Sequence, residues 1–216
     1  MLRVPLPWPS ADVVDALVEK SSGYFIYAST VIKFVDDKDF RPTDQLAIVL
    51  NPSSKYDALP YAPLDRLYFQ ILSQVPERSH PRLLAILAAI FTFDSESYVA
   101  ISRRLEQLFD LEDGDVRLAL SRLHSVLYIP PKSYAFTYSI TAIHASFGGF
   151  LLGESRSSIF HLGAQARIDV ARALLRVYSH PLLDGIVLSV SQPHGTGRLR
   201  LQVGICPKSG RRRNEQ

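Results

Sequence analysis

Between residues 114 and 152 the spacing of apolar residues changes period twice, from helical to alternating and back to helical. Such a change fixes the order of elements, because residues three and four apart share a helix face whereas residues two apart share a strand face. Val116, Leu120, Leu123 and Leu127 keep helical spacing; VLYIP and SYAFTYSI alternate around Pro130, Pro131 and Lys132; ASFGGFLL is helical again. The segment reads as a helix, a short β-hairpin and a second helix that opens on His144.

Upstream, Ser10 is suited to cap a helix over ADVVDALVEKSS, with Val13, Val14, Leu17 and Val18 as its apolar face and Gly23 as its stop. The run YFIYASTVIKFV is ambiguous on local grounds: its β-branched and aromatic residues favour a strand, but twelve residues without a turn signal is long for one. Residues 36–62 carry Pro42, Pro52 and Pro60 among charged and small residues, which predicts a linker around a short helix at 43–50. Leu64, Leu67, Tyr68, Ile71, Leu72 and Val75 predict a helix opening on Pro63 and Asp65. Further helices are predicted over residues 81–93, 98–109, 115–125 and 164–178. Three helices followed by a hairpin is the order of a winged helix.

Composition limits the class of protein. With 216 residues, 47% hydrophobic and 21% charged, the chain can bury a sizeable core. Its longest apolar run, Leu83 to Phe91, falls well short of the roughly 20 residues that span a bilayer, and MLRVPLPWPS lacks the apolar centre of a signal peptide. The expectation is a cytoplasmic protein without membrane contact. The single Cys206 excludes an internal disulfide framework. Charge is unevenly placed: from Ser191 on there are six Lys or Arg against one Glu, leaving eighteen against twenty in the body. The basicity therefore belongs to the tail, which shows no sustained period.

The motifs LPWPS, LVEKSSGYFIYASTVIKFVDD, LDRLYFQIL, DVRLALSRLHSVLYIP and IHASFGGFL followed by RSSIF, spread over residues 5–178, resemble the NACHT-type NTPases of the STAND class found in mushroom-forming fungi. In that family such segments lie downstream of the nucleotide-binding core. The resemblance implies that YFIYASTVIKFV is a helix. It also implies a mainly α fold: a helical lid-like region at 5–75 and a winged-helix domain with one small β-hairpin at 76–178. The basic tail at 179–216 lies beyond the resemblance and is expected from its composition to be irregular and disordered, with LLDGIVLSV alone open to a strand or a short helix. The chain would be a non-catalytic regulatory and interaction fragment of a signalling NTPase, partnered by a NACHT nucleotide-binding domain in cis or in trans and able to oligomerise. ADP or ATP would be bound by that larger protein and no cofactor by this chain.

His144 is the candidate sensing residue. The resemblance implies that it contacts the β-phosphate of ADP, and an imidazole N–H at a helix start can join the free backbone donors there to face an anion. The plainer reading is a helix cap. Arg156, after the same helix, is a candidate helper, although an exposed arginine is more often a solvated charge. His124 is explained by packing or a backbone hydrogen bond. IKFVDD mimics the apolar-then-acidic pattern that holds Mg²⁺ in P-loop enzymes, but the resemblance places it at a helix end and no G-x-x-x-x-G-K-[ST] run exists to hold phosphates beside it. The six histidines have neither the spacing of a zinc site nor cysteine partners, and neither G-x-S-x-G nor H-E-x-x-H occurs. The alternative function is DNA binding by the winged helix. Its presumed recognition helix carries Arg117 and Arg122 behind Glu112, Asp113 and Asp115, a poor surface against a polyanion.

Overall fold

A computed structural model describes residues 8–21, 23–50, 62–92, 99–178, 186–191 and 200–205. They are mainly helical, with small two-stranded sheets. The chain forms two compact units, one made of residues 1–80, 120–128 and 142–161, the other of residues 81–119, 129–141 and 162–216.

In the first unit, α1 (Ala11–Ser21), α2 (Phe25–Val35) and α3 (Pro42–Leu50) surround α4 (Ala62–Ser73), which also packs against α8 (Ala145–Leu152) and α9 (Glu154–Ser157). The ambiguous YFIYASTVIKFV run is α2, with Tyr27, Thr30, Val31 and Phe34 buried at three- and four-residue intervals. Its β-branched residues are accommodated because one face is packed, and tertiary packing outweighs propensity. Leu67, Tyr68, Ile71 and Leu72 on α4 are almost wholly buried. The face used by α1 differs from the predicted one: Val14 and Val18 are exposed. The inner face instead carries Lys20, whose Nζ donates to the carbonyls of Val49 and Leu50 at 3.3 and 3.4 Å. Those are the last carbonyls of α3, which lack helical partners and lie at the negative end of its dipole.

In the second unit, α5 (His80–Thr92) contributes Leu83, Ile86 and Leu87 to the core and α6 (Ser102–Leu108) contributes Leu105. α7 (Asp115–Leu120) contributes Val116, and α10 (Ala164–Tyr178) packs against α6. Gly114, at φ +97°, makes the left-handed turn before α7 and donates its N–H to the buried Glu106 carboxylate at 2.8 Å.

Two expectations are corrected. The predicted hairpin strands shrink to β1 (Leu127–Tyr128) and β2 (Thr141–Ala142), and SYAFTYSI is mostly turn. Pro130 and Pro131 have no N–H to give a ladder. The N–H groups of Tyr134, Ala135, Thr137 and Tyr138 all bond to carbonyls three or four residues back, at 2.9–3.2 Å. In the tail expected to be irregular, β3 (Ile186–Ser191), which falls in the LLDGIVLSV run left open as a strand or short helix, pairs antiparallel with β4 (Arg200–Ile205), Ile186 opposite Ile205 and Ser191 opposite Arg200. The alternation of Leu201, Val203 and Ile205 with Arg200, Gln202 and Gly204 supplies the strand period.

Candidate functional site

His144 is the N-cap of α8. Its backbone is extended, at φ −143° and ψ 144°, and the Ser146 N–H donates to Nδ1 over 3.1 Å. A backbone N–H can only donate, so Nδ1 presents its lone pair and the ring proton sits on Nε2. The Ser146 hydroxyl lies 2.7 Å from the same Nδ1 and 2.7 Å from the Tyr68 hydroxyl on α4. The exposed histidine is thereby tied through Ser146 to a buried residue of the first unit's central helix.

The Tyr68 ring packs against two rings of α8, 5.1 Å from Phe147 and 5.5 Å from Phe150 between centroids. Burial pushes its pKa up, the Ser146 hydrogen bond opposes that, the Asp65 carboxylate adds to it and Arg156 opposes it. The net direction keeps the phenol protonated and able to donate.

One turn earlier on α4, Asp65 accepts two hydrogen bonds from Arg156, Nε at 2.8 Å and Nη2 at 2.6 Å. Residues 65 and 68 share a helix face, so α4 holds both polar contacts toward α8 and α9. The Arg156 stem lies against glycines: a Cβ on Gly153 would sit 3.0 Å from its Cδ, and one on Gly149 would sit 3.6 Å from Nη1. Arg156 is therefore not a solvated charge. It is a bidentate partner to a carboxylate with 6% side-chain exposure, and removing either member would cost about 2–4 kcal/mol because the other is left under-compensated. The next residues are strained, with Ser158 at φ 50° and ψ −115°. Ser157, fully buried, donates its hydroxyl to the Gly153 carbonyl at 2.8 Å.

His124 lies apart from His144 in sequence and has its own partners. Its Nε2 donates to the Lys33 carbonyl in the last turn of α2 at 3.0 Å, and Nδ1 is 3.7 Å from Asp37. The Arg122 guanidinium sits 4.7 Å above the Phe40 ring. Asp37 also accepts the Asp39 N–H at 3.0 Å, a local turn at the end of α2. Among the described residues no group of three His, Cys, Asp or Glu side chains could hold a metal ion.

Asp65, Tyr68 and Ser146 escape a reading by motif. Two signals point to them: the i,i+3 pairing of Asp65 and Tyr68 in LDRLYFQIL, and the Gly149, Gly153, Arg156 spacing that leaves a channel for a long side chain. No protein-family description, curated protein or solved structure matches this chain.

Proposed function

We propose that the chain is the responding part of a NACHT-like signalling NTPase, without turnover of its own, and that its second half works as a winged helix whose state follows the nucleotide. The observation that carries this reading is the disposition of His144. Its Nδ1 is consumed by the α8 cap, which leaves Nε2–H as the donor for a diphosphate at the positive end of an eight-residue helix. The nucleotide core would be a P-loop domain in cis or in trans. Coupling requires that ADP and ATP favour different arrangements of the two partners by different binding free energies.

The contacts behind His144 suit such a role. A β-phosphate drawn to Nε2 pulls on a residue linked through Ser146 to Tyr68 on α4, and the Asp65–Arg156 pair braces α4 against the adjoining α9. The test is the rate of ADP release from a P-loop nucleotide-binding domain of this family, alone and joined to the chain. Slower release in the joined protein is expected, and an identical rate overturns the proposal. The purified chain itself is expected to hydrolyse no ATP and to melt at the same temperature with and without Mg²⁺ and ADP.

A further inference from the structure

We infer that the outer face of α10 docks an acidic amphipathic helix from a partner protein. One side of α10 is committed to the second unit, where Val170 and Ala173 are buried. Nearly opposite, Ala164, Ile168, Ala171 and Leu175 are all exposed, Ile168 to 44% and Leu175 to 69%. Their spacing of four, three and four residues is the a/d rhythm of a helix–helix seam, and the two alanines allow a partner backbone to come close. A helix that is apolar on two faces has a second surface to cover.

Charge selects the occupant. At 100° per residue, Arg167 flanks one side of the seam and Arg172 the other. The one acid of α10, Asp169, lies off the seam and is engaged by Arg172 at 3.2 Å and Gln165 at 3.0 Å. A second copy of α10 laid along this face would set arginine against arginine, whereas Glu or Asp at the flanking positions of a partner helix would meet both cations. An anionic membrane would also attract the arginines, but between Ala164 and Leu175 the stripe offers only Ile168 and Leu175 as large apolar groups, separated by alanines. The 4-3-4 seam with small residues fits a helix better.

The test uses the full chain and two labelled peptides of about three heptads, both with Leu at a and d, one with Glu and one with Lys at e and g. Fluorescence anisotropy is expected to show about tenfold tighter binding of the Glu peptide, weakening with salt. The Ile168→Ser/Leu175→Ser variant should melt like the parent chain and lose that binding, with the basic tail intact in both proteins. The Arg167→Glu/Arg172→Glu variant should prefer the Lys peptide. Equal binding of both peptides, or of neither, overturns the inference, as does binding that survives the double serine variant. Sedimentation revealing a dimer of the chain abolished by those serines, or pelleting with vesicles of one part phosphatidylserine to three parts phosphatidylcholine abolished by them, would assign the face to another occupant.

Discussion

His144 does two jobs at the scale of a single ring: it caps α8 with one nitrogen and offers the other outward. Replacing it by Ala removes the cap and should cost about 1 kcal/mol in urea unfolding, while Asn, which caps as well, should cost a few tenths at most. Equal losses for both would mean that the ring, not the cap, stabilises the helix. Tyr27 and Tyr68 give a prediction with a sign. Burial pushes Tyr27 up to about 12 against a small opposing effect of Arg66, and Tyr68 moves in the same direction. A phenol whose folded pKa exceeds its unfolded one contributes stability below pH 10, and that contribution is lost as pH rises toward 12. Lys20, pulled down by burial and by Arg66, acts oppositely as pH climbs toward its ordinary value. The wild type should therefore lose more stability than Tyr27→Phe between pH 10 and 12, measured by urea midpoints at each pH. Parallel profiles would refute the assignment.

Glycine placement decides how α8 and α9 meet α4. Gly149→Ala puts a Cβ at an ordinary 3.6 Å from Arg156 and replaces a helix-interior glycine, so it should stabilise by up to about 1 kcal/mol. Gly153→Ala intrudes to 3.0 Å on an arginine stem that the Asp65 pair prevents from moving aside, and should destabilise by about 1 kcal/mol. In an Asp65→Asn background that penalty should shrink, because the stem is released; thermal melts of the four proteins form the cycle, and additivity would dismiss the bracing role. Elements were legible where apolar spacing has one period over several turns, as in α4 and α10, whose predicted helices form. They were not legible where sequence alternation and backbone bonding disagree. SYAFTYSI alternates like a strand, yet its N–H groups are consumed locally because two prolines precede it. The β4 alternation spans only six residues inside a basic, glycine-bearing stretch that reads as having no sustained period, and its composition argued for disorder.

At the scale of the molecule, the two compact units each collect segments distant in sequence, and the polar links follow that grouping. The contacts behind His144 join residues 65–68 to residues 144–156, a separation that no local pattern encodes. That is why the sequence pointed to His144 and Arg156 but not to Asp65, Tyr68 or Ser146. A helix cap built on histidine rather than on Ser, Asp or Asn is the feature on which the proposed anion-responsive role rests. Its decisive measurement is calorimetric titration of ADP and ATP into the chain joined to a P-loop nucleotide-binding domain, with His144 native or replaced by Asn. The account predicts that the native protein favours ADP and that His144→Asn loses that preference, by about tenfold in the affinity ratio, without a change in melting temperature. An ADP-to-ATP ratio unchanged by His144→Asn would contradict it and leave His144 as a helix cap alone.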